Sequence, residues 1–374
     1  MKVMVVVGTR PELIRLSEVL KLLDATCDLV LVHTGQNYDF ELGDIFFRDL
    51  ALPQIDKKLD CAGGCASQTV GEVIKQTSVI IETEKPDCFV VLGDTNSCMS
   101  AYAAKRWKIP VFHLEAGNRC FDLNVPEEIN RRLVDHLADI NICYSSLAKN
   151  NLIREGIEPR FCFNLGSPLY EVFAKNIVKI RHSDILGRLD LIDGEYFVCS
   201  VHREENVDKE NGCMMLAEML KAVIREFRKP VLLSLHPRTR KRLEAYKIEL
   251  PSGVITTTPL GFIDYNRLQL GAAAVLSDSG SITEESAMLG FPAVNLRSNH
   301  ERPEGDEDGG LIMTDLCPLR VVKALTLVLN QDLSPFYPSA ANVDNYTAEN
   351  FSRKFLRVLL SYTPYVEKYV WRKG

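Results

Sequence analysis

No stretch of this 374-residue chain approaches the roughly 20 consecutive apolar residues that a membrane-spanning helix requires. The opening MKVMVVVGTRPE runs from one lysine through a short apolar stretch straight into charge, without the length of a signal core or a cleavage site. A basic excess is missing too. Charged residues make up 25% of the chain and the formal net charge is −6, which leaves no positive field for a nucleic-acid backbone or an anionic membrane. No strand is followed by the G-x-G-x-x-G turn of dinucleotide-binding folds, so a tightly held nicotinamide is unsupported. Eleven cysteines are present, but the only close pair, Cys61 and Cys65, has no second pair to complete a zinc site. They read as small buried apolar residues of a protein kept in a reducing compartment. These absences together describe a cytoplasmic protein with no metal, no cofactor, and no nucleic-acid or membrane partner.

What is present is alternation. Short β-rich runs at Lys2–Val7, Leu29–Val32, Cys88–Leu92, Pro110–His113, Ile140–Tyr144, Tyr196–Val201, Val231–Leu235, Val254–Thr257, Ala274–Leu276 and Ala293–Leu296 are separated by amphipathic helical spacing, as in Arg15–Leu23, Val73–Ile81 and Met215–Phe227. That is an α/β pattern with parallel sheets. With 46% hydrophobic residues the chain can bury two cores, so two Rossmann-like domains facing a central cleft are expected. The charged, strand-poor stretch from Phe173 to Gly194 marks the passage between them. The expected division is 1–170, joined by a terminal helix at 350–374, and 171–349.

Polar residues recur just past the carboxyl ends of the strands, where open α/β sheets bind ligands. Arg10 follows the first strand, Asp94 follows Val90-Val91-Leu92-Gly93, and Glu115 follows Val111-Phe112-His113-Leu114. In the second half His202, His236 and Asp278 occupy equivalent places; His236, beside Pro237, reads as an end cap and stays outside the catalytic set. Two junctions look like anion sites. Ser281 and Glu284 have capping-box spacing after Ser279-Gly280, and Thr9 and Glu12 repeat it around Pro11, beside Arg10. A helix start preceded by small residues offers free backbone N–H groups to a phosphate, although many helices begin this way without a ligand.

Gly8-Thr9-Arg10-Pro11-Glu12, His33-Thr34-Gly35-Gln36, Gly93-Asp94-Thr95, His113-Leu114-Glu115-Ala116-Gly117, Pro126-Glu127-Glu128-Ile129-Asn130-Arg131, His202-Arg203-Glu204, Asp278-Ser279-Gly280 and Glu301-Arg302-Pro303-Glu304 form an ordered set. In that set the chain resembles the non-hydrolysing UDP-N-acetylglucosamine 2-epimerase family along nearly its whole length. The resemblance implies a GT-B-like fold, a UDP-sugar held mainly by the second domain, and a homodimer. It makes Asp94, Glu115 and Glu127 the catalytic carboxylates and His202 the catalytic histidine. It also makes Arg10, Arg15 and Arg302 substrate-binding residues, Ser279, Gly280 and Ser281 the diphosphate turn, and Glu285 the carboxylate on the ribose hydroxyls. Ser281 stands where the usual turn has a second glycine, Arg15 where lysine is common, and Asn37 where the better-known branch has histidine. The strings HTGQNYDFE, HLEAGNRCFD and HERPEG are more similar to the sub-branch acting on UDP-linked 6-deoxy-L-hexosamines, which makes UDP-N-acetyl-L-fucosamine or L-quinovosamine precursors of surface polysaccharide.

The chemistry has its own demands. The C2 proton of such a sugar has no neighbouring carbonyl, so it becomes acidic only as UDP leaves C1. Its removal gives a 2-acetamidoglycal, and reprotonation from the other face followed by UDP return inverts the centre. The departing diphosphate needs electrostatic stabilisation away from water, and C2 needs acid/base groups on both faces. His202 has three roles open to it: pairing with phosphate, shuttling a proton, or bracing a closed interface. A UDP-GlcNAc/UDP-ManNAc 2-epimerase, a GT-B glycosyltransferase, a hydrolysing epimerase and an inactive UDP-sugar-binding protein are the competing expectations.

Overall fold

The computed structural model describes residues 1–35, 40–298, 301–307, 311–330 and 346–372. Gln36 and Asn37 of the first resemblance string, and His300 of the third, lie outside the described residues. Two compact units are present, Met1–Lys175 with Asp344–Gly374, and Asn176–Val343. The division falls within the helix Leu169–Arg181, inside the stretch that lacks a strand pattern.

The first unit holds seven parallel strands: β1 (Lys2–Val7), β2 (Asp28–His33), β3 (Lys57–Lys58), β4 (Cys88–Leu92), β5 (Val111–Leu114), β6 (Ile140–Cys143) and β7 (Cys162–Asn164), in the order β3-β2-β1-β4-β5-β6-β7. The runs of β1, β4, β5 and β6 are almost wholly buried because both faces of the sheet are covered there. Side-chain alternation divides β1 between two cores. Val3, Val5 and Val7 pack with Leu13, Leu16 and Leu20 of the helix Arg10–Thr26 and with Phe351, Phe355 and Leu359 of the helix Phe351–Tyr369. Met4 and Val6 pack on the other face with Val73 and Ile81 of the helix Ala66–Glu84.

The second unit repeats the plan with six strands: β8 (Phe197–Ser200), β9 (Val231–Ser234), β10 (Val254–Thr257), β11 (Ala274–Ser277), β12 (Ala293–Asn295) and β13 (Ile312–Met313), ordered β10-β9-β8-β11-β12-β13. Phe197 and Cys199 face Leu216, Met219 and Leu220 of the helix Glu210–Phe227, whereas Val198 faces Leu268, Ile282 and Phe291. In both sheets the chain reverses direction of growth beside the first strand. The switch points therefore lie between β1 and β4 and between β8 and β11, and open α/β sheets bind ligands beyond the carboxyl ends of the strands at such points.

Three strands escaped the sequence pattern: Lys57–Lys58, Cys162–Asn164 and Ile312–Met313, each two or three residues long and each at a sheet edge. All eleven cysteines are free thiols, but they are not uniformly buried. Cys65 is exposed at the start of the helix Ala66–Glu84, and Cys27 and Cys317 are half-exposed, so the expectation of small core residues is corrected for these three. No helix among the described residues is long and apolar enough to cross a membrane, and no cluster of three His, Cys, Asp or Glu side chains among them could hold a metal.

Candidate active site

At the first switch point Glu12 ties two loops together. Its buried carboxylate accepts from Gly8 N at 2.6 Å, Thr9 Oγ1 at 3.0 Å, Thr95 Oγ1 at 2.6 Å and Ser97 Oγ at 3.0 Å. Burial raises its pKa more than these donors lower it. This corrects the reciprocal capping box, because the Thr9 side chain caps no backbone N–H and Glu12 takes the backbone N–H of Gly8 rather than that of Thr9. The clasp fixes the β1 loop bearing Arg10 to the β4 loop bearing Asp94. Arg10 itself is half-exposed, with its guanidinium 5.7 Å from the Phe46 ring centroid.

Asp94 follows Gly93, whose positive φ of 72° turns the chain out of β4. Arg131 Nε and Nη2 both reach Asp94 Oδ2, at 2.9 and 2.6 Å, and Asn130 Nδ2 donates to the Asp94 carbonyl at 2.9 Å. Glu128, fully buried, holds Arg131 Nη1 at 3.1 Å and Arg132 Nε at 2.9 Å, and accepts from Cys120 N at 3.0 Å. Burial pushes Glu128 up, but the Cys120 amide and the two arginines overcome it and leave the carboxylate below its usual range. Glu127, its neighbour on the helix Pro126–Leu137, is half-exposed and makes no hydrogen bond or ion pair with a described residue. One helix thus carries one glutamate held by three partners and, beside it, one with no hydrogen bond or ion pair to a described residue.

Glu115 sits at φ 64°, a left-handed conformation that costs a side-chain-bearing residue about 1–2 kcal/mol. Its Oε2 lies 3.5 Å from Arg15 Nε, and Arg15 is buried with its guanidinium 5.9 Å from the Tyr144 ring centroid. Two residues on, Gly117 has φ 87° and passes so close to the Ala148 carbonyl that a Cβ would not fit. Below this turn His113 Nδ1 is 2.9 Å from Asp135 Oδ1 and its Nε2 is 2.8 Å from the Gly93 carbonyl, while Arg119 Nη1 meets Asp135 Oδ2 at 2.7 Å. Asp94, Glu115 and Glu127, with Arg10 and Arg15, therefore come from loops and helix starts at the carboxyl edge of one sheet.

In the second unit Asp278 organises the other switch point. Completely buried, it accepts from His202 N, Arg203 N and Asn206 Nδ2, and its Oδ1 is 3.1 Å from His202 Nδ1. Burial raises its pKa, but the His202 ring and these donors outweigh it, and the group stays below the ordinary carboxylate range. A carboxylate can only accept, so Nδ1 carries the proton facing it, and Nε2 makes no hydrogen bond to a described residue. His236 caps its own helix, accepting from Arg238 N at 3.2 Å.

The turn after β11 contains Ser279, Gly280 and Ser281. The capping box expected here is absent: Ser281 caps no backbone N–H, and its Oγ donates instead to Glu285 Oε1 at 2.6 Å. Gln269 Nε2 holds the other Glu285 oxygen at 2.8 Å. Arg302 Nη1 donates to the Gly280 carbonyl at 3.1 Å and to Glu301 Oε1 at 2.8 Å, and its Nε pairs with Glu284 Oε2 at 2.9 Å. A Cβ at 280 would meet the ends of the Glu301 and Arg302 side chains, so a larger residue there would displace them. Ser279, Gly280, Ser281, Glu285 and Arg302 are thus assembled around one helix start, with His202 and Asp278 at the adjoining strand end.

Comparison with known proteins gives this arrangement its relatives. Residues 21–360 match the family model described as UDP-N-acetylglucosamine 2-epimerase. The chain belongs to that family. A Rickettsia bellii UDP-N-acetylglucosamine 2-epimerase structure is 42% identical, with a TM-score of 0.91 and 100% of both chains covered. A Methanocaldococcus jannaschii UDP-GlcNAc 2-epimerase, in complex with UDP-GlcNAc and UDP, is 33% identical with a TM-score of 0.88, covering 97% of this chain and 100% of the other. The Pseudomonas aeruginosa UDP-2,3-diacetamido-2,3-dideoxy-D-glucuronate 2-epimerase is 35% identical over 80% of this chain and 84% of its own length. The family is one of isomerases acting on UDP-sugars, and the two parallel α/β units are those of a GT-B-like fold.

Two contributors carried no role in the sequence. Arg131 was visible only as part of the Pro126–Arg131 motif, and Asp278 only as a polar strand end and as part of the Asp278-Ser279-Gly280 motif. The available signal for Arg131 was its i+3 spacing from Glu128 in PEEINRR, which places both on one helix face.

Proposed function

We propose that this family member inverts C2 of a UDP-linked N-acetylamino sugar by eliminating UDP and adding it back through a 2-acetamidoglycal. Its preferred substrate is a UDP-2-acetamido-2,6-dideoxy-L-hexose used for surface polysaccharide. Arg10 and the Ser279-Gly280 turn stabilise the leaving diphosphate, and Glu285 takes the ribose hydroxyls. Asp94, Glu115 and Glu127 supply the acid/base capacity at C2. His202 acts through Nε2, on a phosphate oxygen or the proton it gains, because Nδ1 is committed to Asp278. The observation that carries the proposal is the state of the carboxylates at the first switch point: Asp94 keeps one oxygen clear of its arginine and Glu127 is unengaged, as proton transfer requires. Support for the sugar comes from the strings HTGQNYDFE, HLEAGNRCFD and HERPEG.

A second sugar has a specific observation in its favour, the 33% identity to a structure holding UDP-GlcNAc and UDP, so interconversion of UDP-GlcNAc and its C2 epimer is the alternative. Incubation in D2O without added cofactor tests the chemistry. Deuterium at C2 of intact nucleotide sugar is the expected result; free sugar with UDP would indicate hydrolysis, and turnover only with an added acceptor would indicate a glycosyltransferase. Side-by-side rates on UDP-GlcNAc and a UDP-6-deoxy-L-hexosamine decide the substrate.

A further inference from the structure

Ser281 occupies a position whose backbone, φ −76° and ψ −14°, is ordinary right-handed helix geometry open to any residue. Serine therefore enters this turn without strain, and what it adds is a hydroxyl. That hydroxyl makes two hydrogen bonds, to Glu285 Oε1 at 2.6 Å and to Ser279 Oγ at 2.9 Å. Their direction follows from chemistry. The carboxylate accepts, so the single Ser281 proton goes to Glu285, and Ser279 must donate to Ser281. The second Glu285 oxygen is held by Gln269 Nε2, a wholly buried side chain of the helix Phe262–Gly271. Both carboxylate oxygens are thereby pinned, one from each side, while Glu285 remains half-exposed.

We propose that Ser281 is a positioning residue that links the diphosphate turn to the ribose-recognising carboxylate and sets the preference for ribonucleotides over deoxyribonucleotides. The inference rests on the UDP site described under the proposed function. The pinned Glu285 presents its remaining lone pairs in one direction, so a ribose diol meets a preformed acceptor rather than a carboxylate that must first be ordered.

Calorimetric titration of UDP, 2′-deoxy-UDP and inorganic pyrophosphate against wild type, Ser281→Ala and Ser281→Thr tests this. Wild type is expected to favour UDP over 2′-deoxy-UDP by about tenfold, the scale of a hydrogen bond to a charged group. In Ser281→Ala the preference falls to about twofold or less through loss of UDP affinity, with 2′-deoxy-UDP and pyrophosphate little changed. Ser281→Thr, which keeps the hydroxyl, restores it. An unaltered UDP to 2′-deoxy-UDP ratio in Ser281→Ala, or a parallel weakening of all three ligands, would overturn the proposal and leave Ser281 as part of the helix start alone. Failure of wild type to bind UDP would instead overturn the UDP reading on which it rests.

Discussion

Arg131 grips Asp94 by one oxygen only: Nε and Nη2 both reach Oδ2, at 2.9 and 2.6 Å, and Oδ1 receives no hydrogen bond from a described residue. Asp94 is thereby oriented without being fully consumed. Glu128 holds the arginine from behind at Nη1, so the grip is rigid. Lysine keeps the charge but lacks the planar fork. Arg131→Lys is expected to lower kcat for C2 exchange about ten- to hundredfold, on the scale of misplacing a reacting group, with UDP affinity unchanged. Wild-type kcat in this variant would remove Arg131 from the positioning of Asp94.

The carboxylates differ in how much structure depends on them. Glu127 makes no hydrogen bond or ion pair with a described residue, so Glu127→Gln should leave stability within about 0.5 kcal/mol of wild type while reducing deuterium exchange about a hundred- to ten-thousandfold. Asp94→Asn should lose activity on the same scale and also some stability, because the amide meets Arg131 without charge. UDP titration separates the roles, since both variants are expected to bind nucleotide. If both exchange deuterium near the wild-type rate, the assignment of C2 chemistry to these residues fails.

The sheets were readable because their central strands, such as β1 and β4, are unbroken apolar runs buried on both faces. The edge strand Lys57–Lys58 offered no such signal: both lysines are exposed and their pairing with Val32 and His33 is through backbone alone. Asp94 and Glu115 were legible for a related reason, since a strand end locates its next polar residue. The Asp94–Arg131 pair spans 37 positions and joins a loop to a helix on another crossover, which no local pattern encodes. The exchange of an expected capping box for a Ser281–Glu285 bond is similar: the spacing S-x-x-E was present, but the neighbouring Glu285 won the hydroxyl.

Asp135 gives the first unit an acid-sensitive core. Burial raises its pKa, but the hydrogen bond and charge of His113 and the Arg119 guanidinium outweigh that and hold it below the ordinary range. A carboxylate depressed in the folded state contributes stability that is present above its unfolded pKa, about 3.9, and is lost as pH falls through the lower folded value. Asp135→Asn leaves Arg119 and His113 without their shared partner. It is expected to cost about 3–5 kcal/mol at pH 7 and progressively less below about pH 4, where the wild-type carboxylate is itself titrating. Urea unfolding followed at pH 7 and pH 3 checks the sign: equal losses at the two values would contradict it.

The carboxyl-terminal helix is held to the first unit by two different forces that mutation can separate. Phe355 is completely buried and meets the Phe112 ring edge-on at a centroid distance of 6.3 Å. The helix start has no side-chain cap of its own, since Asn350 lies at φ 57°, and Glu171 serves instead, accepting from Ser352 N at 2.8 Å and Ser352 Oγ at 2.9 Å. Phe355→Ala removes a large core side chain and should cost about 3–5 kcal/mol. Glu171→Ala leaves one buried amide unsatisfied and should cost about 1–3 kcal/mol, with Glu171→Gln, which retains an acceptor oxygen, losing less. Urea midpoints measure all three. Because Phe355 packs on Phe112 inside β5 and Glu171 bonds Ser352, the folded fraction of each variant should keep its kcat, and a kcat loss exceeding the folded-fraction loss would mean that the helix also shapes the site.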